Sequence, residues 1–247
     1  MTQPFSTAGD GLPAGPAPGA TVAGSRAADG TGPGVPLSIW PGLPDPGGAR
    51  DGLPCGGPVT VAAARRVIDT FSVPGDLVAA AGGCSPAVIE AAAAASRRVI
   101  ALVPGPAPAL RRPGGPAALP PAGDPAAGTA GLAVAGCRGQ EPGGESAEDP
   151  GPLFAACERV LRPGGVLAVI AGPAAPGGTL AGTAGSVVAA GRAAGLVYAQ
   201  HIVLVRAEID GDRLAPAAPG AGSAAPGGSP VHDDLFVFTK PGGGTRS

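Results

Sequence analysis

The chain has 247 residues and a net charge of −2 at pH 7; 44% of its residues are apolar and only 14% are charged. So large an apolar share excludes wholesale disorder, and the slight negative charge excludes the broad basic surface typical of nucleic-acid-binding proteins. No apolar run approaches the roughly 20 residues of a membrane-spanning helix, and the N-terminus lacks the pattern of a secretory signal. We therefore expect a cytoplasmic protein with no membrane partner.

Glycine and proline, at 45 and 32 residues, dominate the start of the chain. Residues 1–36 show no hydrophobic periodicity and are predicted to be a disordered tail rich in Gly, Pro and Ala. Residues 37–57 contain the only tryptophan, Trp40. An isolated tryptophan beside such a tail is expected to anchor the segment on the folded domain.

The folded domain is predicted to span residues 58–241, followed by a disordered tail at 242–247. Within the domain, residues 104–130 and 214–231 are so rich in Pro, Gly and Ala that we expect low-complexity loops there.

Helices and strands are predicted to alternate along this domain. The first helix is indicated by Val59, Ala63, Val67 and Phe71, which recur every four residues. Another helix is expected after Ser85, a favourable N-cap residue. Later helices are predicted at LFAACERVL and GTLAGTAGSVVAAGRAAG, and strands at DLVAAAGG, RVIALVP, GLAVAGC, VLAVIAG, LVYAQHIVLVRAEI and DDLFVFTKP.

This alternation predicts an α/β fold, in which helices cover both faces of a doubly wound, mostly parallel sheet. No helical pattern separates the last two strands. We therefore expect a C-terminal antiparallel strand pair, with Phe236 and Phe238 on one face of the final strand.

Several segments resemble the class I S-adenosylmethionine-dependent methyltransferases. ACERVLRPGGVLAVI is similar to the family segment in which a helix ends in Leu-Arg-Pro-Gly-Gly and a strand begins, and PGDLV at 74–78 is similar to the start of the first strand. GRAAGLV at 191–197 and HDDLFVFTKP at 232–241 look like actinobacterial DNA methylases that modify exocyclic amino groups. The resemblance covers about 58–241 and implies a class I methyltransferase-like fold, S-adenosylmethionine as cofactor and DNA as partner.

The segments that carry chemistry in this family are degenerate here. The family's first strand ends in an acidic residue and a Gly-x-Gly turn, whereas this chain has Ala79–Ala81 before Gly82. The second strand of the family ends in an acid that binds the ribose, and here it ends in Val103 and Pro104. The family's Asp/Asn/Ser-Pro-Pro-aromatic motif is replaced by Gly136-Cys137-Arg138-Gly139. We therefore predict no catalytic residues, weak or lost S-adenosylmethionine binding, and weak DNA binding.

The remaining candidates for cofactor contact are Gly82, Gly83, Cys84 and Ser85, because the N–H groups at a helix N-terminus favour anions. The alternative interpretation is an ordinary strand-to-helix turn. Two carboxylates lie nearby in sequence, but Asp76 is at the opposite end of its strand and Glu90 is expected to be an exposed helical residue.

Polar residues outside this turn give weaker signals. Cys137 is either a reactive nucleophile, approached by His201 or His232, or a buried inert thiol, and we favour the inert thiol. The run from His232 to Asp234 is predicted to be a solvated turn rather than a metal site, and the four cysteines show no metal-binding spacing.

The sequence thus supports a degenerate, catalytically inactive DNA methyltransferase-like protein that acts as a binding or regulatory module for an unidentified protein partner. One alternative is an active S-adenosylmethionine-dependent methyltransferase with divergent motifs. Another is an interaction protein whose Pro-rich segment 104–125 and tail segments recruit partners in an extended conformation.

Overall fold

The structure is a computed structural model. It describes residues 35–41, 59–82, 85–103, 109–111, 127–137, 150–172, 180–205, 208–210, 213–215 and 232–242. The tails predicted to be disordered lie outside the described residues, apart from 35–36 and Gly242. No helix among the described residues is long and apolar enough to cross a membrane.

Ten strands and four helices are formed by these residues. In chain order they are β1 (Leu37–Trp40), α1 (Val61–Phe71), β2 (Leu77–Ala81), α2 (Ser85–Ala94), β3 (Arg98–Val103), β4 (Ala109–Arg111), β5 (Ala130–Cys137), α3 (Gly151–Val160), β6 (Leu161–Ala171), α4 (Leu180–Ala193), β7 (Val197–Val205), β8 (Glu208–Asp210), β9 (Arg213–Ala215) and β10 (His232–Thr239).

Eight strands build one sheet in the order β1-β7-β10-β6-β5-β2-β3-β4. Strands β3, β2, β5 and β6 are parallel, and β1 is parallel to β7. The final strand, β10, lies between β6 and β7 and is antiparallel to both. The predicted doubly wound, mostly parallel sheet with a C-terminal antiparallel strand pair is therefore confirmed.

Helices cover both faces of the sheet because its side chains alternate in direction. One core cluster packs against α1 and α2, and the other packs against α3 and α4. We call these sides the α1/α2 face and the α3/α4 face. Phe236 and Phe238 both lie on the α3/α4 face, as predicted from their spacing.

The first helix is set by its cap and by its apolar face. The Thr60 hydroxyl accepts a hydrogen bond from the Ala63 N–H at 3.1 Å, which satisfies a donor that the helix leaves unpaired. Ala63, Val67 and Ile68 are buried, so the predicted amphipathic helix is confirmed.

The Arg-Pro-Gly-Gly segment has a different structure from the one predicted. Helix α3 ends at Val160, and β6 starts at once with Leu161, so the four residues lie inside a strand rather than at a helix end. Leu161 pairs with Ala130, but pairing resumes only between Val166 and Leu132. Residues 162–165 therefore form a bulge, in which Gly164 has a φ of +75° that favours glycine.

Two short strand pairs were not predicted. Strand β4 lies within the 104–130 segment, where we expected only loop, and pairs antiparallel with β3 at the sheet margin. Edge strands need hydrogen bonds on one side only, so they tolerate neighbouring prolines. The predicted strand 196–209 is also divided, because β8 leaves the main sheet and pairs with β9.

Helix α4 and the first strand are fixed by specific contacts. Gly195 has a φ of +83°, and the Leu196 N–H donates to the Gly191 carbonyl at 3.0 Å, so the predicted glycine-closed helix end is confirmed. Trp40 on β1 stacks on Phe71 with ring centroids 6.1 Å apart. These contacts tie β1 to α1, while the anchoring role of 37–57 as a whole stays a prediction.

Candidate functional site

The carboxyl edge of the parallel strands is where ligands usually bind in an open α/β sheet. The described ends of β2, β3 and β5 at this edge are Ala81–Gly82, Val103 and Gly136–Cys137. None of these described end residues carries a carboxylate or an amide side chain. The side chains at these described ends therefore offer no carboxylate or amide acceptor to the ribose hydroxyls or the amino-acid ammonium group of S-adenosylmethionine.

Gly82 closes the first of these ends. Its φ of +70° is one that L side chains rarely adopt. A Cβ atom at this position would lie 3.4 Å from Leu153 Cδ2 and 3.9 Å from the Gly136 carbonyl oxygen. The open side of the glycine thus faces the first turn of α3 and the end of β5 within the protein.

The four residues predicted to contact a cofactor lie at this strand-to-helix turn. Gly82 follows β2 directly, and Ser85 is the first residue of α2. Gly83 and Cys84 lie outside the described residues, as does the Ser85 side chain. The turn therefore has the predicted location, and cofactor contact by these residues stays a prediction.

Asp76 and Glu90 do not reach this edge. Asp76 precedes β2 at the opposite edge, where its carboxylate accepts from the Val73 N–H at 3.0 Å and pairs with Arg162 at 3.4 Å. Glu90 is an exposed residue of α2. Both positions agree with the sequence analysis, so neither carboxylate replaces the acids that the strand ends lack.

Solved structures similar to this one are methyltransferases and related proteins. Geranyl diphosphate C-methyltransferase from Streptomyces coelicolor is 14% identical, with 72% of this chain and 78% of that chain covered and a TM-score of 0.43. Precorrin-6y C5,15-methyltransferase from Geobacter metallireducens is 15% identical, covering 72% and 87%, with a TM-score of 0.41. The cyclase SpnF is 14% identical, covering 82% and 88%, with a TM-score of 0.43.

No protein-family model matches the sequence, and no curated protein is significantly similar to it. The sheet itself carries the decisive features: parallel strands covered by helices on both faces, with an antiparallel strand inserted beside the last parallel one. The fold is class I methyltransferase-like.

In this methyltransferase-like fold, Cys137 ends β5, where the catalytic motif was expected. Burial raises the pKa of the Cys137 thiol to about 11. A thiol with so high a pKa is protonated at neutral pH and is a poor nucleophile. This environment fits the inert thiol that the sequence analysis favoured.

The run from His232 to Asp234 is not the solvated turn that we predicted. These residues are the first three of β10, and Asp233 and Asp234 are each only 3% exposed. They are buried because β10 lies between two other strands. Among the described residues, no group of three His, Cys, Asp or Glu side chains is arranged to hold a metal ion.

Sequence reasoning missed a pair of polar residues in this methyltransferase-like sheet. His201 Nε2 lies 2.8 Å from Asp234 Oδ1, which joins β7 to β10. The His201 ring also stacks on Phe236 at 4.8 Å, with 18° between the ring planes. The only signal in the sequence was the alternation of residues along each strand. Alternation predicts this contact only when the register between β7 and β10 is also known.

Proposed function

We propose that this chain is a methyltransferase-fold protein that does not bind S-adenosylmethionine tightly or transfer methyl groups to DNA. It acts instead as a binding or regulatory module for a protein partner. The observation that carries the proposal is the lack of carboxylate and amide side chains at the described ends of β2, β3 and β5.

In the methyltransferases that the sequence resembles, the glycine turn after the first strand lets the backbone approach the cofactor. At the corresponding glycine of this chain, Gly82, an added Cβ atom would lie at van der Waals distance from Leu153 Cδ2. An atom at that position would be in ordinary van der Waals contact with the leucine, so the surface beside Gly82 is apolar. Such a surface forms no charge-assisted hydrogen bond with S-adenosylmethionine, which supports weak or lost binding.

The apolar strand ends are expected to lower the affinity for S-adenosylmethionine. Each charge-assisted hydrogen bond that is lost weakens binding by about 1.5–3 kcal/mol. Two missing acids, at the ends of β2 and β3, would together reduce affinity by roughly two to four powers of ten. A typical micromolar site would then bind only at millimolar concentrations.

Two of the described arginines support weak DNA binding, because their side chains make contacts within the protein. Arg97 donates to the Ser72 carbonyl at 2.9 Å and lies 3.6 Å from Asp69, and its side chain is 9% exposed. Arg66 lies over the Trp40 ring at 5.3 Å. Phosphate contacts by Lys and Arg supply most non-specific DNA affinity, so we expect little binding at physiological salt.

The test is calorimetry of the full chain with S-adenosylmethionine and S-adenosylhomocysteine, followed by labelled-methyl transfer to duplex DNA. We expect no binding below millimolar concentrations and no transfer. The Leu153→Ala variant, which removes the apolar contact beside Gly82, is expected to bind no more tightly than the unmodified chain, because it restores no acid at the strand ends. A low-micromolar dissociation constant, or transfer that Gly82→Val abolishes, would overturn the proposal and favour the active enzyme with divergent motifs.

The third hypothesis concerns a part of the chain that the structure describes only at Ala109–Arg111. Recruitment of a partner by the Pro-rich segment 104–125 stays a prediction. Deletion of residues 112–125 outside β4, followed by affinity capture, separates this possibility from binding by the methyltransferase-like domain.

A further inference from the structure

A second polar site lies away from the Gly82 turn, on the α3/α4 face of β7 and β10. Four strand spacings separate β7 from β2 in the sheet order, which places the two sites about 19 Å apart. The site consists of the His201 imidazole, the Asp234 carboxylate and the Phe236 ring. Nothing in it depends on cofactor binding at the Gly82 turn.

Asp234 fixes the orientation and the tautomer of His201. The carboxylate side chain is only 5% exposed and lies 2.8 Å from Nε2. An ionised carboxylate only accepts hydrogen bonds, so Nε2 carries the shared proton and Nδ1 keeps its lone pair. Among the described residues, no side chain or backbone group forms a hydrogen bond with Nδ1. Stacking on Phe236 holds the ring plane.

The ring is still accessible. The His201 side chain is 28% exposed, in contrast to the buried carboxylate behind it. Leu37 on β1 is the register partner of His201, and Ile39 is the partner of the next residue on the same face, Val203. Leu37 and Ile39 are 47% and 51% exposed. The approach to the imidazole is therefore lined by apolar side chains.

The elements around this site also carry the titratable groups Tyr198, Arg192 and His232. Burial, and then the charge of Asp234, raise the pKa of Tyr198, while Arg192 on α4 lowers it. Tyr198 is therefore neutral, and Arg192 is a permanent cation at the end of α4. His232 begins β10 on the same side of the strand as Asp234.

We propose that His201 and Asp234 form a proton-accepting site for small, uncharged, apolar molecules that carry an ester or a hydroxyl group. In ester hydrolysis at this site, Nδ1 accepts a proton as the O–H bond of water breaks. The water oxygen forms a bond to the carbonyl carbon, the bond to the leaving alkoxide or phenolate breaks, and Nδ1 then gives its proton to the leaving oxygen or to solvent. His201 is the residue that touches the reacting water, and Asp234 is a positioning residue.

The experiment measures hydrolysis of 4-nitrophenyl acetate by the full chain from pH 5 to pH 8. We expect 4-nitrophenolate to be released faster than with free imidazole at equal concentration throughout this range. His201→Gln is expected to lower the rate by roughly 100-fold, whereas His232→Gln, the matched change at the only other histidine, leaves it unchanged. Asp234→Asn allows the other tautomer and lowers the rate even where the ring is neutral, and Asp234→Glu restores part of it.

A purely structural pair would give another result: His201→Gln and Asp234→Asn would lower the melting temperature but leave hydrolysis per folded molecule unchanged. Equal losses in His201→Gln and His232→Gln would also overturn the proposal. If the His201 variants do not fold, the unmodified chain still decides the question through its reaction with diethyl pyrocarbonate, followed by mass spectrometry. Carbethoxylation of His201 at a rate comparable to or above that of His232 supports the site, and protection of His201 under conditions that modify His232 contradicts it.

Discussion

The two halves of the sheet differ at the same edge. In the half formed by β2, β3 and β5, parallel strands end in small or apolar residues, and the described ends provide no carboxylate. In the half formed by β6, β10 and β7, Asp234 lies opposite Ala171, the last residue of β6. The difference arises because β10 runs in the opposite direction and brings its first residues to this edge. Strand direction thus decides which residues reach a ligand-binding edge.

Packing differs between the halves as well. Strand β2 contributes three fully buried alanines, whereas β10 contributes Phe236 and Phe238. Small side chains let the helices approach the β2 half closely, and large aromatic rings fill the β10 half. The stability of the domain should therefore respond more strongly to truncation in the β10 half.

The largest expected effect follows from that difference. Phe238 is fully buried and contacts Tyr198 and Phe154, with ring centroids 5.3 and 6.3 Å away. We expect Phe238→Ala to lower the free energy of unfolding by about 3–5 kcal/mol. Urea denaturation followed by circular dichroism measures this. Val197→Ala, at a residue that is 53% exposed, is the control and should change stability by no more than about 0.5 kcal/mol.

A smaller effect is expected at the strand end of the β2 half. Gly82→Val places a β-branched residue at a φ of +70° and against Leu153. We expect a loss of about 2–3 kcal/mol. Gly185→Ala is the matched change, because it lies in α4 with nothing within 4 Å of its Cβ position. That variant should be slightly more stable, and similar losses in both variants would contradict a strained turn at Gly82.

The Cys137 thiol provides a pH test of the same half. Its folded pKa is about 11, so the folded chain retains a proton that the unfolded chain releases above pH 9. Stability contributed by the protonated thiol is present below pH 9 and is lost as the pH rises toward 11, by about 1–2 kcal/mol. The urea midpoint of the unmodified chain should therefore fall relative to that of Cys137→Ala as the pH is raised from 8 to 11.

The same thiol should resist alkylation. At pH 8 we expect iodoacetamide to modify Cys137 roughly 100-fold more slowly than a free cysteine. Site-resolved mass spectrometry measures the rate. Rapid modification at Cys137 would contradict the burial described here and revive the interpretation of this residue as a nucleophile.

The smallest effect is expected at the opposite edge of the sheet. The Arg162 side chain is 51% exposed where it pairs with Asp76. Exposed pairs of this kind contribute at most about 1 kcal/mol. Arg162→Gln should therefore barely change the melting temperature, and a large loss would show that the bulge at 162–165 depends on this ion pair.

Sequence patterns predicted the class of fold, because helical and strand patterns alternate along the chain and each pattern can be recognised locally. The position of Val67 on the buried face of α1 and the shared face of the two phenylalanines of β10 follow from helix and strand periodicity. The helix end at Gly195 follows from the backbone freedom of glycine. Each of these signals is local in the sequence. The same reasoning located the Gly82 turn. Features of this kind need no knowledge of the partner strand.

The remaining features depend on register, which the sequence does not reveal locally. The Arg-Pro-Gly-Gly bulge exists because Leu161 and Val166 both pair with β5. The contact between His201 and Asp234 exists because β10 is inserted beside β7. Residues 33 positions apart in sequence meet here only through that insertion. Sequence reasoning therefore assigned the aspartates to solvent, although the insertion buries them.

The inserted position of β10 also sets the order in which the sheet is completed. Strands β7 and β1 join the other main-sheet strands through β10, which pairs with β6 on its other side. During synthesis, β7 ends at Val205 and β10 ends at Thr239, an interval of about 2–7 seconds at typical translation rates. Over that interval β7 has no partner toward the centre of the sheet. The nascent chain therefore exposes an unpaired strand edge during this period, which favours aggregation.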